Sequence, residues 1–260
     1  MNAFRHGAAA VLLAALATPA MAQQKPAESE LIISFGAERS TEDARGDRTE
    51  KPKWSPSFGI DYRRGRFSAG LGSVSYDLVQ DQGYTVFVAG AYNPGRKEGT
   101  RNESPRLVGM GKVPASADIL LGASAELLDG LLSVQATHTR SSRSEQGSTT
   151  SFGATIGAPV WGDSVSAFLS VDATHADAKH AQTYYGVTAA QAIRSGNRAF
   201  RAKAGFVSSG LTLGLNWDID KHWSATASVG RQTLRGSAAL SPLTTRKNST
   251  TAGLGVSYRF

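Results

Sequence analysis

The sequence predicts an all-β chain: a transmembrane antiparallel up-and-down β-barrel of about twelve strands, with ten as the alternative count, behind a cleaved export signal. Three observations carry this expectation. Apolar residues alternate with small or polar ones over runs of about nine to twelve residues, which is long enough for a tilted strand to cross hydrocarbon and longer than the usual soluble strand of ~5–6. Aromatic side chains gather near the ends of those runs, at Trp54, Tyr62, Trp161, Trp217, Trp223, Tyr258 and Phe260, where an interfacial girdle places amphipathic rings. The last run, Ala252, Leu254, Val256, Tyr258 and Phe260 against Gly253, Gly255, Ser257 and Arg259, ends on Phe260. Tyr258 and Phe260 are therefore the expected signal for the barrel-assembly machinery.

The N-terminus reads as a secretory signal. Arg5 and His6 precede an apolar run from Ala8 to Ala17, followed by Pro19 and the small-residue pattern Ala20-Met21-Ala22. That run is about half the ~20 residues a membrane-spanning helix needs. Cleavage is expected after Ala22, leaving 23–260 as a single barrel domain. Beyond the leader no stretch is apolar for long enough to cross a bilayer as a helix, so a membrane would be crossed by strands.

In chain order the expected strands are 30–37, 54–63, 66–76, 83–92, 117–127, 130–139, 149–160, 163–174, 199–207, 211–219, 222–234 and 249–260. The cleanest alternation is Leu211, Leu213, Leu215, Trp217 and Ile219 against Thr212, Gly214, Asn216 and Asp218. The stretch from Phe200 to Ile219 reads as either one long strand or two short ones. Tight connections at Asp129-Gly130, Gly162-Asp163 and Asp220-Lys221 carry turn residues, and short turns of such barrels face the periplasm. The longer polar segments 38–53, 93–116, 140–148, 175–198 and 235–248 would then face outward. Parity fails around 38–53 if the turns at 63–66 and 77–82 are both periplasmic.

Composition narrows the function. With no cysteine the exported chain has no disulfides, no thiolate nucleophile and no cysteine metal site. Its 28 glycines against 10 phenylalanines suit long strands with one small-residue face. The formal charge of +7, or +6 once Arg5 leaves with the signal, points in an exported protein to envelope polyanions such as lipid A phosphates rather than to nucleic acid. Basic clusters in the expected loops, Arg39, Arg45, Arg48, Lys51 and Lys53, then Arg96, Lys97, Arg101 and Arg106, then Arg194, Arg198 and Arg201, would meet lipopolysaccharide or simply water.

No catalytic group, metal site or cofactor is expected. His175 and His180, with Asp172 and Asp177, lack the i, i+4 spacing of a helical ligand pair. His138 lies near Ser141 and Ser142, but nothing supplies an orienting third group for a hydrolase. Gly70, Gly72, Gly109 and Gly111 precede no Lys-Ser or Lys-Thr pair and read as strand glycines and turns, not a phosphate loop.

One segment is distinctive. Tyr184-Tyr185-Gly186-Val187-Thr188, followed by Gln191-Ala192 and Ser195-Gly196, resembles the signature of the MipA/OmpV family of MltA-interacting proteins. The likeness continues through Phe200 to Gly205, the Leu211 to Trp223 hairpin, Leu234, Ser241-Pro242 and the closing Gly253 to Phe260. It reaches the N-terminal half at Ser55-Pro56 and Leu107-Val108-Gly109-Met110-Gly111. Tyr185 stands where many relatives carry Phe.

The resemblance implies a non-enzymatic barrel of the cell outer membrane, in contact with its lipid and lipopolysaccharide. It would act as a scaffold that couples a lytic transglycosylase to a bifunctional murein synthase. The alternatives it implies are a narrow permeability barrel for solutes or antibiotics, or an adhesin. It marks Tyr184, Tyr185, Gly186, Val187, Thr188, Gln191, Ser195, Gly196, Ser241 and Pro242 as the expected binding residues. The inward strand residues read mostly as Gly, Ser and Thr with few charges, which fits a narrow, side-chain-filled lumen; a broad aqueous pore takes about 16 to 18 strands.

Overall fold

The computed structural model describes residues 29–41, 54–101 and 104–260; the leader and its cleavage after Ala22 lie outside them. Within this range twelve antiparallel strands close into one barrel in up-and-down order, the first pairing with the last. They are β1 (Glu30–Ser40), β2 (Trp54–Arg64), β3 (Phe67–Gly70), β4 (Ser73–Asp81), β5 (Tyr84–Asn93) and β6 (Ser116–Leu127), then β7 (Leu132–Ser141), β8 (Ser148–Trp161), β9 (Val165–Ala176), β10 (Gly205–Asp218), β11 (Trp223–Leu234) and β12 (Asn248–Arg259).

Period-2 alternation sorts the side chains by face. Outward stand Phe35, Phe58, Ile119, Leu121, Phe152, Leu211, Leu213, Leu215 and Leu254, all exposed. Phe35 and Phe58 pair across β1 and β2 with ring centroids 5.1 Å apart. In water such a belt would be costly, at about 1.5–3 kcal/mol for each large apolar side chain left unburied. In hydrocarbon it is buried, and the fold is that of an outer-membrane barrel. The inner face carries hydroxyl pairs across strands, Ser34 with Ser257 at 2.9 Å, Thr155 with Ser170 at 2.8 Å and Ser151 with Thr174 at 3.2 Å.

One strand expectation is corrected, and the open alternative over 200–219 resolves to one long strand. The run 66–76 is two strands, β3 and β4, because Leu71-Gly72 turns between them with Gly72 in the left-handed region at φ +82°. The runs 199–207 and 211–219 are one strand, β10, beginning only at Gly205; a bulge at Phe206/Ser208 carries it past the Ser208-Ser209-Gly210 stretch that reads as a break. The extra β3–β4 hairpin restores parity. The turns after β2, β4, β6, β8 and β10 share one rim with both barrel ends of the chain, and the connections after β1, β3, β5, β7, β9 and β11 share the other.

Among the described residues, α-helices lie in two long connections: α1 (Ala178–Tyr185) and α2 (Ala189–Ser195) between β9 and β10, and α3 (Gly236–Leu240) between β11 and β12; short 3-10 turns occupy Pro105–Leu107 after β5 and Ser144–Gln146 after β7. The buried apolar residues are concentrated in these two connections, in the connection between β5 and β6, and in the strand ends beside them, not midway along the strands.

Candidate functional site

The three long connections 94–115, 177–204 and 235–247 pack together over one mouth of the barrel. Local sequence starts each helix. The Asp177 carboxylate opens α1 by accepting from the His180 backbone N–H at 2.7 Å, and its other oxygen accepts from the Ser148 N–H and hydroxyl, each at 2.9 Å. Burial pushes the Asp177 carboxyl up, but these hydrogen bonds and the neighbouring His180 outweigh it and hold the group below its ordinary range. Thr188 opens α2 with a full capping box, its hydroxyl taking the Gln191 N–H while the Gln191 side chain takes the Thr188 N–H. Gly196 ends α2 in the left-handed conformation at φ +73°.

Two apolar clusters hold this cap. Tyr184, Tyr185, Ala181, Val113 and Ala238 pack with Ala176, Val207 and Leu234 at the strand ends. Val187 packs with Leu107, Met110 and Leu243. Below Tyr184 a polar network ties the cap to the wall. Gln146, almost fully buried, donates to the Pro114 carbonyl at 2.6 Å and accepts from the Ser116 and Ser141 hydroxyls at 2.9 and 3.1 Å. Ser116 also reaches Asp118 at 2.8 Å, and Asn93 donates to the same carboxylate at 3.0 Å.

Three arginines cross-tie the connections by donating to backbone carbonyls. Arg96 donates to Tyr184 at 3.0 Å, Arg194 to Gly109 at 3.2 Å, and Arg106 to Pro242. These members of the basic clusters are thus engaged within the fold, while Arg45, Arg48, Lys51 and Lys53 lie outside the described residues. Arg39 sits on β1, not in a loop.

The structure brings the signature residues together within this cap. Tyr184, Tyr185, Gly186 and Val187 are buried. Ser241, also buried, donates from its hydroxyl to the Tyr185 carbonyl at 2.6 Å and accepts from the Leu243 N–H. Gln191 donates to the Met110 carbonyl at 2.8 Å, and Ser195 to the Gln191 carbonyl at 2.7 Å. Thr188 and Gly196 remain exposed, and Thr188 borders a cleft of about 800 Å³ lined in part by Lys179, Gln182, Thr183, Phe200 and Arg201. Tyr258 and Phe260 stand at the opposite rim, their rings edge to face at 4.7 Å.

Gln146 and Leu243 are not singled out by the sequence, and Arg96, expected there to meet lipopolysaccharide or water, instead bonds the Tyr184 carbonyl. The available signal was glycine: Gly109 and Gly111 are left-handed at φ +76° and +75° and flank the buried Met110, and a side chain at Gly109 would meet the Arg194 backbone at 2.7 Å. His138 faces outward and bonds Thr150 at 3.0 Å, whereas Ser141 faces the lumen side of the same strand and bonds Gln146, so the two do not form a catalytic pair. Among the described residues no group of three or more His, Asp or Glu side chains is placed to hold a metal ion.

Residues 33–260 match the family profile described as MltA-interacting protein MipA. No curated protein matches the chain in sequence. Among solved structures, the anion-selective porin from Comamonas acidovorans is 12% identical, with 89% of this chain and 98% of that one covered at a TM-score of 0.43. The in-vitro folded outer-membrane protein OmpT of Vibrio cholerae is 8% identical over 91% and 99%, with a TM-score of 0.42. The KdgM porin is 11% identical over 88% and 99%, with a TM-score of 0.41.

Proposed function

This chain belongs to the MltA-interacting protein MipA family, and on that premise we propose that it is a non-enzymatic outer-membrane barrel that docks a murein-remodelling enzyme on its short-turn rim. The enzyme is a lytic transglycosylase, with a bifunctional murein synthase as the second member of the assembly. Such partners work in the periplasm, and short turns are the periplasmic side of outer-membrane barrels. The docking surface is then the rim opposite the signature cap.

The observation that carries this reading is the turn between β6 and β7. Leu128 and Asp129 are the non-glycine residues with positive φ among those described, at +54° and +53°. A left-handed leucine costs about 1–2 kcal/mol, and Asn or Gly would make the same turn without that cost. Leu128 nevertheless presents its side chain 64% exposed at the rim, with Leu131 exposed beside it. An apolar side chain held out at the expense of backbone strain suits insertion into a partner's pocket.

The signature residues have a different role: they build the cap packed over the outer mouth. The outward-facing cations Arg39, Arg140 and Arg231, all near the cap end of their strands, meet the phosphates of lipopolysaccharide.

Pull-down from detergent-solubilised envelopes with the tagged mature protein, against an unrelated barrel of similar size, tests the docking. Specific recovery of a lytic transglycosylase, lost in Leu128→Asn, is the expected result. Leu128→Asn should leave the unfolding free energy unchanged or raise it by up to about 1 kcal/mol, because Asn accepts the left-handed backbone. Recovery no greater than the control overturns the docking; recovery that survives Leu128→Asn overturns the assignment to this turn.

A further inference from the structure

The strands segregate charge by face. By register, Glu38, Asp61, Asp118, Glu126 and Asp172 point into the lumen, each opposite a small or polar inward residue: Ser55, Gly70, Ser141, Ser133 and Gly153. The described strands contain no lysine, and their two inward arginines are already neutralised. Arg63 pairs with Asp77 at 2.7 Å and Arg259 with Glu30 at 2.7 Å. Arg39, Arg140 and Arg231 face outward, on the face of Phe35, His138 and Val229. A chain of net charge +7 therefore encloses an acidic interior, and the expectation of a lumen with few charges is corrected.

The interior is also open enough for that charge to matter. The two large inward aromatics of the described strands lie flat on the wall, Phe87 over Gly122 and Phe168 over Gly214, at positions where a Cβ would collide with the ring. Asp61 and Asp172 are exposed, although both sit well inside their strands. Unbalanced carboxylates inside a low-dielectric wall focus field along the bore, concentrate cations and exclude anions.

We propose that the lumen is a cation-selective conduit whose permeants are small inorganic cations and short aliphatic amines, with Asp61 and Asp172 as the principal determinants of selectivity. This activity is separate from docking at the short-turn rim and does not depend on it.

The test is single-channel recording of the purified mature protein in planar bilayers under a tenfold KCl gradient. The expected reversal potential has the sign of potassium permeation, with a potassium-to-chloride permeability ratio several-fold above one. In the double variant Asp61→Asn, Asp172→Asn, checked for folding by its heat-modifiable band, the ratio should fall toward one. Chloride preference, or a ratio unchanged in the double variant, overturns the proposal. So does a lack of conductance above protein-free bilayers, both in the native protein and in the cap variant Gly186→Ala. Uptake of 1,4-diaminobutane but not succinate by reconstituted liposomes is the matching flux result; equal uptake of both also overturns it.

Discussion

Replacing Gly186 by alanine should loosen the cap without touching the barrel. Gly186 has φ −80°, a conformation open to any residue, so the substitution adds no backbone strain and its effect is steric. The new methyl would sit 2.5 Å from the Gln182 carbonyl oxygen and press on the Gln182 side-chain amide. That carbonyl accepts the Gly186 N–H at 3.0 Å, and the side-chain oxygen accepts from the Ala202 N–H at 2.9 Å. Neither neighbour can yield without breaking a contact that joins α1 to the return segment. Overpacking of this kind costs about 1–3 kcal/mol, and the loss of one hydrogen bond adds about 1 kcal/mol. A total of about 2–4 kcal/mol corresponds to a roughly 30- to 900-fold rise in local opening. Amide hydrogen exchange on the protein in nanodiscs reads this directly. Peptides covering α1 and α2 should lose protection by that factor while β7 and β8 keep theirs. Unchanged protection in the helices, or equal loss in the strands, would refute the view of the cap as a separately packed unit.

Further outcomes follow from other contacts. Asp177 lies outside the membrane span and its carboxyl is held low. Its contribution to cap stability is therefore complete above the ordinary carboxyl range near 3.9 and is lost as pH falls through the depressed value. Proteolysis within 177–204 should accordingly accelerate below about pH 4 in the native protein, with a weaker pH dependence in Asp177→Asn. Phe260 is exposed, with Tyr258 as its ring neighbour; Phe260→Ala should lower the assembled fraction in cells several-fold while the purified variant refolds in detergent as the native chain does. Equal refolding defects in both settings would assign Phe260 to stability rather than to assembly.

Much of the barrel was legible because period-2 alternation is a local property. Leu211 to Asp218 and Trp223 to Leu234 state their faces residue by residue. The errors fell where glycine permits two geometries. Gly70 and Gly72 look alike in sequence, yet Gly72 turns the chain at φ +82° while Gly70 stays in β3. Gly210 looks like a break, but it stays in β10 to make room for the Asp172 carboxylate, which occupies the space a Cβ would fill.

The cap was less legible. Capping residues such as Asp177 and Thr188 mark the helices locally, but the partners of Val187 are Leu107, Met110 and Leu243, brought together only by barrel closure. The acidic lumen was hidden for a related reason: its carboxylates are spread singly over several strands, and only the closed register collects them into one bore.

On the proposed function the molecule divides between two rims, a capped mouth outside and a docking rim inside the cell envelope. The absence of cysteine from the sequence makes that division directly measurable. Single cysteines at Arg198→Cys, exposed in the cap connection, and Gln82→Cys, exposed in the turn between β4 and β5, would be treated in intact cells with a membrane-impermeant maleimide. The cap position should be labelled in intact cells, and the turn position only after the outer membrane is permeabilised. Labelling of the turn in intact cells, with the cap protected until permeabilisation, would contradict that division.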